Sequence, residues 1–242
     1  MWIWDIDPQD RNVINGSPGE SDYISGTDDH DLVYGRQGND TLLGSEGYDD
    51  LRGGYGVDEV DYFGSCCGVT VNLETGKGWG GHAHGDTYTG IENIRGSQWA
   101  DTLIGDAGDN TIDGWRGNDM IEGGRGDDDL RGGDGNDTIT GGSGDDTLYG
   151  GKDANVLTGD NGEDVFTVRF IGTETTIADF TQSEDTIHLI GFYDYAYFMA
   201  MAQQVGNDVH FSRDNDYLNY TATLIIEDVA LADLEAGDFL FN

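Results

Sequence analysis

The sequence predicts an all-β chain of two parallel sheets stacked face to face. Three observations carry that prediction: a nine-residue internal repeat, 40 Gly and 37 Asp among 242 residues, and a polar-apolar-polar ending to each repeat. Residues 17–61 divide without a gap into five units, SPGESDYIS, GTDDHDLVY, GRQGNDTLL, GSEGYDDLR and GGYGVDEVD. Residues 96–167 hold eight more, among them GWRGNDMIE, GGRGDDDLR, GGDGNDTIT and GGSGDDTLY. Position 1 is Gly in 12 of the 13 units, position 4 is Gly in nine, and position 6 is Asp in 11. Position 8 is Ile, Leu, Val or Phe in all 13, so the register is held throughout.

Each unit reads as a turn and then a short strand. Gly at positions 1 and 4 is expected to supply positive φ, after which position 6 presents a carboxylate at the end of the turn. The last three residues, such as Thr138, Ile139 and Thr140, alternate as a strand with one buried face does. Two strands then form per 18 residues, with Ile121, Leu130, Ile139 and Leu148 filling a thin core. Alternate units share an edge, so Asp119 is expected below Asp137, and Asp128 below Asp146.

Charge excludes several functions. With 48 acidic residues against 11 basic and a formal charge of -37, the chain would be repelled by nucleic acid and by anionic membrane surfaces. No stretch approaches the roughly 18 apolar residues of a membrane span. Met1 to Asp10 shows no basic n-region or apolar h-region of a signal peptide, and Met1 favours a complete chain. A 36% hydrophobic content is too high for a disordered acidic tail. Counter-charge from outside the chain is therefore expected.

Asp outnumbers Glu by 37 to 11, and Asp is both a turn former and a ligand for hard cations. The position-6 residues are Asp22, Asp31, Asp40, Asp49 and Asp58 in the first run. In the second they are Asp101, Asn110, Asp119, Asp128, Asp137, Asp146, Asn155 and Asp164. Pairs two units apart, with main-chain carbonyls, would give the oxygen shell that Ca²⁺ prefers. Counting such pairs gives three sites in the first run and six in the second, about nine in all, enough to offset roughly half the charge. Sites that use Asn110 or Asn155 should be weaker.

These units resemble the GGxGxDxUx nonapeptide of the RTX (repeats-in-toxin) calcium-binding proteins, over 117 residues. The resemblance implies a right-handed parallel β-roll with a C-terminal cap containing a few strands and a short helix. It also implies folding on Ca²⁺ outside the cell and a type I secretion exporter as partner. Thr176 to Phe192, TIADFTQSEDTIHLIGF, resembles the segment that closes the roll in serralysins and in the R-modules of alginate epimerases. The tail LADLEAGDFLFN resembles uncleaved type I secretion signals, and its plainer reading is a hydrophobic cap on the roll.

The expected layout is an N-terminal cap strand (1–16), a first run (17–61), an insert continuing the roll as longer strands (62–95), a second run (96–167), and a cap and secretion region (168–242). In the insert, His82 and His84 would need a third ligand to bind a metal and read as surface residues. Cys66 and Cys67 are adjacent and are expected as buried or partly buried thiols in a strand. Trp79, Trp99 and Trp115 are expected to be exposed, suited to stacking on a polysaccharide or to covering the edge. In the cap, Tyr193 to Gln204 suggests a helix with Tyr197, Met201 and Gln204 on one face. Strands are expected at Asp208 to Ser212 and Thr223 to Val229.

No HExxH or GxSxG motif is present. Asp7, Pro8, Gln9 and Asp10 resemble an epimerase active-site run only faintly, and His188 and His210 stand alone. The sequence thus points to a non-enzymatic secreted calcium-binding protein of the matrix, of adhesion or of the cell surface. The alternative is an accessory C-terminal module of a polysaccharide-modifying enzyme or protease whose catalytic domain is absent.

Overall fold

Turn and strand alternate down the chain because each unit carries one apolar position flanked by polar ones. The computed structural model describes residues 5–6, 12–170, 173–191, 194–215 and 220–241, and over them the chain is a parallel β-roll of about ten turns. Odd and even units feed opposite sheets. One sheet stacks Asn12–Asn15, Asp31–Gln37 and Asp50–Tyr55, and resumes with Thr102–Ile104, Met120–Arg125 and Thr138–Ser143. The other stacks Tyr23–Ser25, Thr41–Leu43, Glu59–Asp61, Asn93–Arg95, Thr111–Asp113 and Asp129–Asp134. The strand Thr147–Asn161 runs through a turn and serves both.

Register is set by the apolar column. Leu103, Ile121 and Ile139 are partners in one sheet, and Ile112, Leu130 and Leu148 in the other, all at 0–1% exposure. A slip of one residue would turn each of them to solvent. Asp5–Ile6 pairs antiparallel with Asn12–Asn15 at the N-terminal end, and Asp7 to Asp10 lie outside the described residues.

The insert departs from expectation, since its strands are three residues long, no longer than those of many repeats. Thr70–Asn72 and Lys77–Trp79 form an antiparallel hairpin. The hairpin turns because the Thr75 N–H and hydroxyl both donate to Asn72 Oδ1 at 2.7 Å, with Gly76 at φ 63. Thr87–Thr89 then pairs parallel with Asp50–Tyr55, which returns the chain to the roll.

Beyond the repeats, Thr173–Ile177 and Thr186–Ile190 each extend one sheet; Tyr220–Ile226 then pairs parallel with Thr173–Ile177, and Asp208–Asn215 pairs antiparallel with Tyr220–Ile226. The helix spans Tyr195–Met201, with the Asp194 side chain accepting from the Tyr197 N–H at 2.7 Å. Of the three residues at helical spacing, Met201 packs against the core, Tyr197 is exposed and Gln204 sits in the strand Gln203–Val205, while Phe198 is buried. Seven residues give only two turns, and the ring of Phe198 meets Phe211 and Phe239 at about 5 Å between centroids. Phe239–Phe241 pairs with Thr186–Ile190, so the acidic-hydrophobic tail closes one sheet.

Candidate metal loops

The position-6 side chains form two columns, one along each edge of the roll. In each column a carboxylate oxygen accepts the main-chain N–H of the residue 18 positions earlier. Asp101 donates to Asp119, Asp119 to Asp137 and Asp137 to Asn155 at 2.8–2.9 Å. On the other edge Asn110 donates to Asp128, Asp128 to Asp146 and Asp146 to Asp164 at 2.7–2.9 Å. Asp22 and Asp40 donate likewise to Asp40 and Asp58, and Asp31 to Asp49. The expected stacking of Asp119 with Asp137 and of Asp128 with Asp146 is present.

One oxygen of each carboxylate is thereby used. The second, Oδ2, is buried without any hydrogen-bond partner in Asp40, Asp58, Asp119, Asp128, Asp137, Asp146 and Asp164. All seven side chains are nine-tenths or more buried. A buried, unpartnered oxygen of this kind costs on the order of 1–3 kcal/mol, and more when charged. Burial accordingly pushes the carboxyls up, and neighbouring carboxylates add to it: Asp119 to about 8, Asp128 to about 7, and Asp137, Asp146 and Asp164 to about 6.

The position-1 glycines serve a different purpose from the one expected. Gly114, Gly132 and Gly141 have no positive φ. They are needed because a Cβ on Gly132 would run into Asp137 Oδ2 and the Gly150 carbonyl oxygen, and one on Gly141 into Asp146 Oδ2 and the Gly159 carbonyl. Left-handed backbone falls at position 4, as expected, for example at Gly117 (φ 130), and also at position 2, as in Gly124 (φ 115). The loops of Asp137 and Asp146 are thus cradles of carboxylate and carbonyl oxygen, with no room for a Cβ at position 1. Among the described residues no three His, Cys, Asp or Glu side chains converge on one point. An ion held here would draw much of its shell from carbonyls, which suits Ca²⁺.

At the two Asn positions, a donor replaces the second oxygen. Asn155 Nδ2 donates to the Lys152 carbonyl at 3.0 Å, and Asn110 Nδ2 to the Glu92 carbonyl at 2.7 Å.

Three residues outside the thirteen units join the columns. Asp86 accepts from the Asp49 N–H, Glu92 from Asp58 and Asp185 from Asp164, at 2.8–3.1 Å. A signal existed: Gly81 to Thr89, GHAHGDTYT, keeps Gly, Asp and an apolar ring at positions 1, 6 and 8, and Phe180 to His188 ends EDTIH. Position 5 also works. Asn136 N–H donates to Asn118 Oδ1 and Asp145 N–H to Asp127 Oδ1 at 2.9 Å, stitching the loops in the opposite direction.

The insert's other candidates separate. Cys66 and Cys67 are exposed in a bend, not buried in a strand, with Sγ atoms 3.1 Å apart; Ser65, beside them, turns its hydroxyl onto the Cys67 carbonyl. His82 lies in the short turn Gly81–Ala83, and His84, exposed, packs on Tyr48. Trp79 and Trp99 are exposed, but Trp115 is half-buried against Phe63, with Arg95 and Arg116 over its ring.

Comparison with known proteins agrees with this geometry. The family model of the RTX calcium-binding nonapeptide repeat matches in four copies, at residues 19–51, 34–61, 95–130 and 131–166. Among solved structures, the extracellular lipase LipA from Serratia marcescens is similar at 16% identity with a TM-score of 0.40. That match covers 96% of this chain and 42% of the lipase, so the chain spans less than half the lipase's length. The AlgE6R3 subunit from the Azotobacter vinelandii mannuronan C5-epimerase is similar at 21% identity with a TM-score of 0.36, over 59% of this chain and 79% of that one. No curated protein matches. Residues 19–61 and 95–166 of the chain are RTX calcium-binding nonapeptide repeats.

Proposed function

We propose that this chain is a secreted, non-enzymatic protein that folds as it binds Ca²⁺ outside the cell and then serves in the matrix, in adhesion or on a surface. The observation that carries this reading is the set of seven buried carboxylate oxygens without a partner. In it, the position-6 residues of 17–61 and 96–167 hold the ions together with loop carbonyls, the insert 62–95 spaces the runs, and 168–242 closes the roll and directs export. Bound Ca²⁺ supplies the positive charge the loops lack. The protein's own contribution is to align the oxygens, keep side-chain carbon out through the position-1 glycines, and exclude water with the apolar column.

At free calcium about ten times its dissociation constant, each site adds roughly 1.4 kcal/mol, and about nine sites on the order of 13. That exceeds the stability of many domains. The expected outcome is a coil-like far-UV circular dichroism spectrum in EGTA and a β-rich one after calcium is restored. A spectrum indifferent to EGTA overturns the reading.

Export follows from the same chemistry. At the micromolar or lower free calcium of a cytosol, loops needing roughly 10⁻⁴ to 10⁻³ M stay unfolded, and the chain remains threadable. Deleting the last 60 or so residues should abolish secretion beside a type I exporter while residues 96–167 still bind calcium. Equal export of both chains would leave the tail as a cap alone.

A further inference from the structure

The loops come in two conformations, sorted by the residue at position 2. In eight units that residue is left-handed: Arg36 (φ 85), Trp115 (φ 69), Asp160 (φ 68), and glycines 54, 124, 133, 142 and 151 (φ 101 to 121). These are the units whose position-6 residues are the seven aspartates with an unpartnered Oδ2, together with Asn155. In the other five units position 2 is Pro18, Thr27, Ser45, Ser97 or Asp106, none with positive φ, and the position-6 side chain is satisfied from within its own loop.

The bonds show how. Thr27 N–H donates to Asp31 Oδ2 at 2.5 Å and its hydroxyl to the same oxygen at 3.0 Å. The Ser45 hydroxyl donates to Asp49 Oδ2 at 3.1 Å. Ser97 N–H donates to Asp101 Oδ2 at 2.6 Å and its hydroxyl to Oδ1 at 2.8 Å. Ser17 and Asp106 give their N–H groups to Asp22 and Asn110. When position 2 is left-handed, its peptide turns away and pairs along the neighbouring loop, as Arg36 does with Gly54 and Gly124 with Gly142. Oδ2 of the carboxylate beneath is then left without a donor. Asn155, in an open loop, donates its amide to the Lys152 carbonyl of the same loop, whereas Asn110, in a closed one, donates to the Glu92 carbonyl of the neighbouring turn.

We propose that position 2 decides which loops take calcium: open loops with a left-handed position 2 and an Asp at position 6 bind the ion, whereas the loops of Asp31, Asp49 and Asp101 hold a main-chain N–H or a hydroxyl in its place and close without it. The rule rests on the calcium reading above and narrows it, since the pair Asp31 and Asp49 ceases to be a site. Those three aspartates, with Asp86, whose Oδ2 accepts the Tyr62 hydroxyl at 2.6 Å, lie on one edge of the roll. That edge is calcium-free through the first run and the insert.

The experiment counts bound calcium in the full chain by native mass spectrometry and by isothermal titration with calcium chloride, with circular dichroism to confirm folding. Asp137→Asn should lose at least one ion, and Asp49→Asn should lose none. Ser45→Gly should gain one, because Gly47 (φ 139) already holds position 4 of that unit in the open conformation. Equal losses from the two Asn variants, or no gain from Ser45→Gly, overturn the rule. If an Asn variant fails to fold, Ser45→Gly decides alone. A wild-type chain that binds no calcium overturns the calcium reading and the rule with it, an outcome distinct from failure of the rule alone.

Discussion

Asp119 shows the balance a single residue strikes. Its Oδ1 is bonded to the Asp101 N–H, but burial pushes its carboxyl up to about 8, and the charges of Asp101 and Asp137 push in the same direction. A raised folded pKa means that the calcium-free fold binds more protons than the unfolded chain. Its contribution is therefore fully present below the unfolded value of about 4 and lost as pH rises through 6 to 8. Without calcium, the chain should show more β structure at pH 5 than at pH 8 by circular dichroism. Protons and Ca²⁺ compete for the same oxygens, so calcium affinity should rise over that interval. Tyr62 offers a second test. It is fully buried and its hydroxyl serves Asp86 and Tyr88, so Tyr62→Phe strands a buried carboxylate oxygen. The loss should be about 1–3 kcal/mol in thermal melts at saturating calcium, with the number of bound ions unchanged.

At the scale of elements, three-residue strands contribute little alone and rely on the column they join. Leu130 pairs in register with Ile112 and Leu148 and is fully buried, so Leu130→Ala should cost about 2–5 kcal/mol with calcium present. Outward charges also follow the register: Asp61, Arg95, Asp113 and Arg131 succeed one another across one sheet, with Arg95 3.5 Å from Asp61. The cap is a different kind of element, held by rings instead of loops. Phe198→Ala removes the ring between Phe211 and Phe239 and should loosen the cap by about 3–5 kcal/mol. Calcium bound by residues 96–167 should be retained, which titration of the variant would show.

Across the whole molecule, the charge of -37 opposes any compact state. Screening and specific binding are separable. About 1 M NaCl shortens the Debye length to about 3 Å, so salt should shrink the calcium-free chain in small-angle scattering. It should not restore the β-rich dichroism, because a screened carboxylate is still an unpaired one. Recovery of that spectrum by NaCl alone would show that the loops need only ionic strength.

The nine-residue period, the buried apolar residue at position 8 and the alternating edges were all legible in the sequence, because turn and strand preferences act over a few residues and the repeat averages out exceptions. The columns of carboxylates followed from the same count. Tertiary structure decided what depends on neighbours 18 or more residues away. The position-1 glycines answer to a carbonyl two units on, and Asp86 joins its column 37 residues after Asp49, in a unit one residue out of phase with the first run. Cys66 and Cys67 are exposed because the chain bends where a strand was expected, and Phe198 faces inward because two distant rings receive it. Composition states how much negative charge must be answered; only the backbone turn at position 2 shows which carboxylates find a partner within their own loop and which keep a buried oxygen without one.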